Sequence, residues 1–197
     1  ILMIHFVKGF NYLERHGMQE EQNYTTRDGE EFQLRPARAG DAEQIVDNLN
    51  STSQERSYIL TEYCGSTPDK CRIYIEGMDH ERNLLIVAEG QSKVVGTLGV
   101  VQYFGGQREE LKHILALGLH ISGPFRGKGI GTRMLEYADT WAREQGFKKI
   151  TACIFTTNQR SLVLFEKMGY TQESLKRMQI RIGSSYIDEV CMAKVLG

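Results

Sequence analysis

A glycine-rich turn at residues 126–132 constrains the fold of this chain more than any other segment. Its sequence, Arg-Gly-Lys-Gly-Ile-Gly-Thr, follows an apolar run at 114–121 and precedes a helix-patterned segment at 132–145. In a strand–turn–helix unit, bare N–H groups and the positive end of the helix dipole point toward one side. Glycines allow positive φ angles and a close approach to phosphate. The segment therefore predicts an α/β fold with a phosphate-binding turn.

Two familiar phosphate-binding loops do not fit this spacing. A Walker A loop has four residues between its first glycine and its Gly-Lys-Ser/Thr ending. Only three residues separate Gly123 from Gly127, and Gly129 stands where the hydroxyl should be. The dinucleotide-binding fingerprint needs a third glycine three residues after the second, and this position is Thr132. The turn therefore indicates a different phosphate ligand.

The spacing Arg-x-x-Gly-x-Gly, formed by Arg126, Gly129 and Gly131, resembles the acetyl-CoA pyrophosphate loop of the GNAT superfamily of N-acetyltransferases. A second segment, from Asn158 to an aromatic-x-Lys-x-Gly-aromatic ending at 165–170, is similar to the second CoA-binding segment of that family. Two separated motifs in the right order rarely occur together by chance. The resemblance covers about residues 32–194 and implies an acetyl-CoA-dependent enzyme.

The resemblance also implies which residues contact acetyl-CoA. Backbone N–H groups of the turn would hold the pyrophosphate, with cationic side chains nearby, and the preceding strand would lie beside the pantetheine arm. Phe165 departs from the family pattern, because many members carry a tyrosine there that reprotonates the leaving thiolate, and phenylalanine has no proton to give. The cofactor-binding residues expected are Leu119, Ile121, Arg126, Gly127, Lys128, Gly129, Ile130, Gly131, Thr132, Asn158, Ser161 and Phe165.

The pattern of apolar residues predicts one mixed α/β domain at residues 31–197, preceded by an N-terminal extension at 1–30. Alternation predicts strands at 32–38, 84–88, 93–104, 111–122, 149–155, 171–182 and 185–195. Helical spacing predicts helices after Asp41, at 68–78, at 132–145 and at 158–167. The result is a central sheet of about seven strands flanked by about four helices, and the resemblance implies that this sheet is splayed.

Composition narrows the function further. With 24 basic and 25 acidic residues the net charge is −1, which disfavours a sequence-independent nucleic-acid binder. The apolar run at 1–7 is too short to span a membrane and lacks the features of a signal peptide, so we expect a cytoplasmic protein. The four cysteines form no C-x-x-C pair, and we expect buried free thiols without a bound metal.

A general base is needed because an amine with a lysine-like pKa of about 10.4 is almost wholly protonated at neutral pH. Glu109, Glu110 and His113 cluster before the strand that leads into the turn, and His113 shares strand parity with Leu119 and Ile121. Solvated loop charges are the simpler interpretation of the two glutamates, and a partly buried strand residue is the simpler interpretation of His113. Tyr186 is a candidate acid. The predicted catalytic residues are Glu109, His113 and Tyr186.

The acceptor pocket is expected between the first helices and the last hairpin. Its candidate residues are Tyr58, Glu62 and Asp188, the last of which interrupts an apolar strand and should be a partnered carboxylate. The final strands loosely resemble those of bacterial GNAT members that act on small amines or amino acids. We expect acetyl transfer to the primary amine of a small molecule, and the last strands could pair in a homodimer. Acetylation of a protein or peptide, and a non-catalytic acyl-CoA-binding module, stay open as alternatives.

Overall fold

The computed structural model describes residues 21–54 and 67–197. One mixed sheet of 8 strands runs in the order β1-β2-β3-β4-β5-β6-β8-β7. Its neighbouring strands are antiparallel except for β5 and β6, which are parallel. The strands are β1 (Gln22–Thr25), β2 (Glu31–Pro36), β3 (Leu84–Gly90), β4 (Lys93–Gln102), β5 (Ile114–Ile121), β6 (Lys149–Phe155), β7 (Thr171–Ile182) and β8 (Ser185–Val195). The helices are α1 (Ala42–Gln54), α2 (Pro68–Glu76), α3 (Ile130–Glu144) and α4 (Gln159–Lys167).

The helices cover the two faces of the sheet and make two hydrophobic cores. On one face α3 and α4 pack on the sheet around the fully buried Trp141 and Leu98. On the other face α1 and α2 pack on β3 and β4 around Ile45 and Val87. Alternation along each strand sends neighbouring side chains to opposite faces. A residue's position in a strand therefore decides which core it joins.

Local sequence signals explain where the helices begin. The Thr67 side chain accepts a hydrogen bond from Lys70 N–H, and Pro68 occupies the first turn of α2, as is usual at a helix start. The Asn158 side chain accepts from Ser161 N–H at the start of α4. Gly129 precedes α3 with φ of 98°. The helices therefore begin close to the predicted positions.

The strand β1 was not expected. The sequence predicts that residues 21–30 belong to an extension, whereas the structure pairs β1 with β2 at the edge of the sheet. An edge strand exposed on one face needs few apolar residues, so hydrophobic alternation missed it. Tyr24 is its main apolar contact and stacks on Phe32 with ring centroids 5.5 Å apart. Residues 1–20 lie outside the described residues, and the division of the chain at residue 30 stays a prediction.

A buried ion-pair network ties the start of α1 to the sheet. Arg35, on β2, donates to both carboxylate oxygens of Asp41 over 2.7 and 2.8 Å and to Glu89 on β3 over 2.7 Å. The side chains of Arg35 and Asp41 are 6% and 9% exposed. Burial raises the pKa of Asp41, but hydrogen bonds from Arg35 and from Arg38 N–H outweigh it and lower the pKa overall. This carboxylate is therefore charged at neutral pH.

Asp41→Asn is expected to lower the free energy of unfolding by about 3–5 kcal/mol, because it leaves the Arg35 guanidinium buried with one carboxylate fewer. Denaturant unfolding at pH 7 measures this. Since the pKa of Asp41 is lowered by folding, its contribution is present above about pH 4 and is lost as the pH falls through the lowered value. Glu136→Gln is the control, because the Arg133–Glu136 pair is about half exposed and should change stability by less than about 1 kcal/mol. Equal losses in the two variants would contradict the prediction.

Candidate active site

The backbone of the glycine turn leaves donors available for an anion. Gly127 and Gly129 adopt φ of 79° and 98°, a region that favours glycine. Among the residues that the structure describes, the N–H groups of Gly127, Gly129 and Gly131 donate to no backbone carbonyl, whereas Thr132 N–H donates to Gly129 over 3.1 Å. Three available N–H groups beside the start of a 15-residue helix suit a phosphate. The turn therefore fits the pyrophosphate that the sequence predicts.

Gly131 keeps the helix close to its neighbours. A Cβ atom at this position would lie 3.0 Å from Leu164 Cδ2 on α4 and 3.3 Å from Ile121 Cδ1 on β5. Both distances are shorter than ordinary packing, so a larger residue here would require the Leu164 and Ile121 side chains to shift, whereas glycine lets α3 begin close to β5 and α4. Ile130, the first residue of α3, is 1% exposed and places its side chain in the core. Packing of these two residues against the core, β5 and α4 therefore holds the turn in place.

The hairpin between β1 and β2 supplies charges beside the turn that sequence reasoning missed. The Lys128 ammonium lies 2.7 Å from Asp28 and 2.5 Å from Glu30. Hydrogen bonding to Asp28, and next to Glu30, raises the pKa of Lys128. Arg27 N–H donates to the Lys128 carbonyl over 3.1 Å. The hairpin thus also holds the turn in place. Its contacts with the turn join residues about 100 apart in sequence, so no local sequence signal could reveal them.

Two arginines are the cations that accompany the turn. Arg126 donates through Nε to the carbonyl of Ile121 over 2.7 Å, which ties it to the end of β5. Arg27 reaches Gly129, where a Cβ atom would lie 3.9 Å from the Arg27 Cγ and Nε atoms. Guanidinium groups bind phosphates well because their donors match the oxygen spacing. Arg27 therefore joins Arg126 as a candidate phosphate ligand, whereas Lys128 is engaged with carboxylates.

A cavity opens where β5 and β6 part. These parallel strands pair only over Ile114–Ala116 and Lys149–Thr151, and beyond those residues their edges carry no mutual hydrogen bonds. The gap belongs to a cavity of about 660 Å³. It is lined by members of both cores, among them Phe165 and Ile154 on the α3–α4 side and Ile45 and Tyr74 on the α1–α2 side. The cavity thus runs through the splayed sheet, as the resemblance implied.

Residues of the second CoA-like segment line the α4 end of this cavity. Asn158, Ser161 and Phe165 are among the lining residues, as is Leu119 of β5. The Asn158 side chain also caps α4 by accepting from Ser161 N–H over 3.2 Å. Phe165 is 4% exposed and meets Tyr170 edge to face, with centroids 4.9 Å apart. The side chain at the position where the resemblance leads us to expect tyrosine therefore packs in the core beside the cavity.

A polar pair in the cavity wall was not predicted as catalytic. Thr97 on β4 and His120 on β5 are directly opposite each other and are 6% and 8% exposed. Among the described residues, Thr97 Oγ1 and His120 Nε2 have no hydrogen-bond partner. A buried polar atom without a partner costs about 1–3 kcal/mol, so two of them on one cavity wall need an explanation. Burial, with a smaller effect from Arg126, lowers the pKa of His120 to about 4.

The structure does not bring the predicted catalytic residues to this cavity. Glu109 is exposed and pairs with Lys112 over 2.5 Å. His113 is exposed and precedes β5, at the far end of that strand from His120. Tyr186 is 53% exposed beside the β7–β8 turn. None of the three lines the cavity. Their catalytic roles rest on the sequence pattern alone.

The structure describes one of the three predicted acceptor residues, Asp188. Tyr58 and Glu62 lie outside the described residues. The Asp188 carboxylate accepts from Met178 N–H over 2.7 Å, at a point where the pairing of β7 with β8 is irregular and Met178 has φ of 51°. It is a partnered carboxylate, as expected, but it does not line the cavity. In the structure its carboxylate accepts the hydrogen bond of a backbone N–H group in the irregular part of β7.

The expectation of free, buried thiols was wrong for two cysteines. Cys153 on β6 and Cys191 on β8 form a disulfide. Alternation turns Ala152 and Ile154 into the core and leaves Cys153 exposed, and the register sets Cys191 opposite it. Cys71 is a buried thiol, as expected, and Cys64 lies outside the described residues. An apolar sequence around each cysteine could not reveal which face of the strand it occupies.

The same disulfide bears on metal binding. Cys153, Cys191 and Glu189 place one potential ligand atom each within 4.8 Å of one another. The two sulfurs are bonded to each other, and the Lys176 ammonium lies 2.9 Å from Glu189. A thiolate is the form of cysteine that binds metal, so the oxidised pair does not supply a zinc-type ligand set.

No helix in the described ranges, 21–54 and 67–197, is both long and apolar enough to cross a membrane.

Comparison with known proteins shows the family of this chain. Residues 50–170 match the model of the Acetyltransferase (GNAT) family. The chain is 28% identical over 142 residues to the Bacillus subtilis (strain 168) protein named "Putative phosphinothricin acetyltransferase YwnH", covering 72% of this chain and 85% of that protein.

Solved structures share the fold. A GNAT-family acetyltransferase from Streptococcus pneumoniae is similar with a TM-score of 0.77 and 24% identity, over 84% of this chain and 99% of that one. A phosphinothricin acetyltransferase from Sinorhizobium meliloti in complex with AcCoA has a TM-score of 0.75 and 19% identity, over 83% and 88% of the two chains. Together with the matched family model, the glycine turn and the splayed sheet place this chain in the GNAT family of acetyl-CoA-dependent N-acetyltransferases.

Proposed function

We propose that this enzyme transfers the acetyl group of acetyl-CoA to the primary amine of a small molecule, by direct attack within a ternary complex. The observation that carries the proposal is the cavity between β5 and β6, which is lined from both faces of the sheet. Its volume of about 660 Å³ lies in the usual range for small-molecule sites. Since the thioester end of the cofactor would share this space, the room left suits a small acceptor.

Groups of this chain are available for three successive parts of acetyl-CoA: the pyrophosphate, the pantetheine arm and the thioester. The N–H groups of Gly127, Gly129 and Gly131, with Arg126 and Arg27, would hold the pyrophosphate. From Leu117 onward β5 no longer pairs with β6, so the backbone on this edge can bond the amides of the pantetheine arm. The cofactor supplies an activated thioester. An N–H group on this edge could stabilise charge developing on the thioester oxygen.

Two further observations favour direct transfer to a small molecule. Cys153, an exposed cysteine in the cavity wall, is bonded to Cys191, so in this form it is not available as an acyl-accepting nucleophile. Relatives matched over most of this chain carry names that refer to phosphinothricin, a small molecule. The first observation supports transfer within a ternary complex. The second supports a small-molecule acceptor over a peptide substrate.

The test is CoA release from acetyl-CoA across a panel of acceptors: amino acids including phosphinothricin, polyamines, and peptides with a free N-terminus or lysine. Turnover with a small amine is expected, with the acetylated product identified by mass. Double-reciprocal plots for the two substrates should intersect; parallel lines would indicate an acyl-enzyme instead. Turnover with peptides alone would refute the small-molecule assignment. Acetyl-CoA binding without turnover on any acceptor would favour the non-catalytic module, for which the lack of a hydroxyl at Phe165 is the supporting observation.

A further inference from the structure

His120 and Thr97 form a polar site inside the apolar cavity wall. They face each other across β5 and β4, and their parity turns them away from Leu119 and Leu98 toward the α1–α2 side. Each is more than nine-tenths buried, and each lines the cavity. His120 Nε2 and Thr97 Oγ1 bond to nothing in the part of the chain that the structure describes. Since buried polar atoms in folded proteins are nearly always satisfied, this pair points to a molecule bound in the cavity.

The surroundings of His120 keep its ring neutral. The described titratable and charged groups that face the same cavity are Lys70, Cys71 and Tyr74 from α2, and Arg126 follows β5. Cys153 from β6 also lines the cavity, but it is held in the disulfide and does not titrate. None of them is a carboxylate that would favour the imidazolium. Burial, together with the Arg126 charge, lowers the pKa of His120 to about 4. A neutral imidazole offers one nitrogen lone pair to a proton donor.

We propose that His120 is the catalytic base for the acceptor amine and that Thr97 holds the amine in position. This rests on the acetyl transfer proposed above. The acceptor enters as its neutral amine, having lost its ammonium proton to solvent. Its lone pair bonds to the thioester carbonyl carbon, the carbon–sulfur bond breaks, and a proton on the attacking nitrogen passes to the imidazole. The imidazolium then returns this proton to the departing CoA thiolate. The products are the N-acetylated amine and CoA thiol, so atoms and charge balance.

The weak basicity of His120 suits this sequence. An amine nitrogen becomes strongly acidic as it bonds to the carbonyl carbon, so a base with a low pKa can take its proton at that stage. The CoA thiolate, with a thiol-like pKa of about 8.5, then takes the proton readily from an imidazolium of lower pKa. His120 would in this way supply the proton that Phe165 cannot give. One residue would take the proton from the attacking nitrogen and give it to the thiolate, whereas the ammonium proton of the free acceptor is lost to solvent.

The experiment compares wild type, His120→Gln, His120→Ala, Thr97→Val and His113→Gln with an acceptor that wild type acetylates. For His120→Gln we expect kcat to fall about 100-fold or more, as for loss of a general base, with the Kd for acetyl-CoA and the unfolding midpoint little changed. Thr97→Val should mainly raise KM for the amine. Imidazole added to His120→Ala, which leaves a space of matching size, should restore part of kcat.

Each outcome decides the proposal. A loss of kcat in His120→Gln with recovery of His120→Ala by imidazole supports it. Retention of kcat in His120→Gln, a loss that imidazole does not restore, or a loss confined to His113→Gln would overturn it. In wild type the kcat/KM profile should show an added fall near pH 4, where the imidazole of the free enzyme becomes protonated, and this fall should be absent in His120→Gln. Failure of wild type itself on every amine would refute the proposed function as well, which separates the two failures.

Discussion

Gly129→Glu is expected to weaken acetyl-CoA binding by about 100-fold or more. Gly129 has φ of 98°, and a non-glycine residue in this region costs about 1–3 kcal/mol of backbone strain. The new carboxylate would also stand beside the available N–H groups and within reach of Arg27. It would repel the pyrophosphate and compete for the cation that accompanies it. Titration calorimetry with acetyl-CoA measures the change directly.

Two variants separate charge from strain. Gly129→Ala carries the strain without the carboxylate and should weaken binding by about 10-fold or less. Gly146→Glu carries the same charge at a residue with φ of 80° just beyond the other end of α3, where a Cβ atom meets nothing within 4 Å. It should cost stability and leave the affinity for acetyl-CoA unchanged. Equal affinity in Gly129→Glu and wild type would remove the phosphate from this turn.

Reduction of the Cys153–Cys191 disulfide is expected to lower the free energy of unfolding by about 3–4 kcal/mol. The bond joins residues 38 apart in sequence, and the loss of loop entropy in the unfolded chain sets this size. The folded state should change little, because β6 and β8 stay paired from Lys149–Val195 to Phe155–Glu189. For a chain of this length the melting temperature should fall by about 6–16 °C.

Denaturant and thermal unfolding with and without a phosphine reductant measure this difference. The control is the double variant Cys153→Ser, Cys191→Ser, which should match the reduced wild type and should not respond to the reductant. Cys71 stays in both proteins, so any effect of its reaction with reagents cancels. If reductant leaves the unfolding midpoint of wild type unchanged, the bond does not stabilise the protein in this way.

Periodicity located most of the fold because the elements are amphipathic. The last two strands, Thr171–Ile182 and Ser185–Val195, have the bounds that the sequence predicts. The missed strand β1 is polar and lies at the sheet edge, where burial leaves only a weak imprint on the sequence. Strand order came from the family resemblance, because alternation within a strand carries no information about its neighbours.

The features of the site were likewise predicted from the sequence only in part. The glycine turn is local, and its spacing revealed it. Arg27, by contrast, reaches the turn through β1 and β2, and the pairing of Cys153 with Cys191 depends on the register of β6 and β8. His120 lies on the strand that leads into the glycine turn, but its lack of a hydrogen-bond partner among the described residues depends on everything that surrounds it. Sequence spacing does not reveal contacts between residues that only folding brings together. Chemistry that depends on such contacts can therefore be argued only from a structure.

The cavity through the splayed sheet has a consequence for kinetics. The glycine turn begins α3, whereas Tyr74 and Ile45 line the cavity from α2 and α1. Two molecules that meet in such a passage can arrive from opposite sides, and neither has to be seated to clear the way for the other. Under the proposed function we therefore expect acetyl-CoA and the acceptor amine to bind in either order, so that each substrate binds to the free enzyme even where the other is scarce.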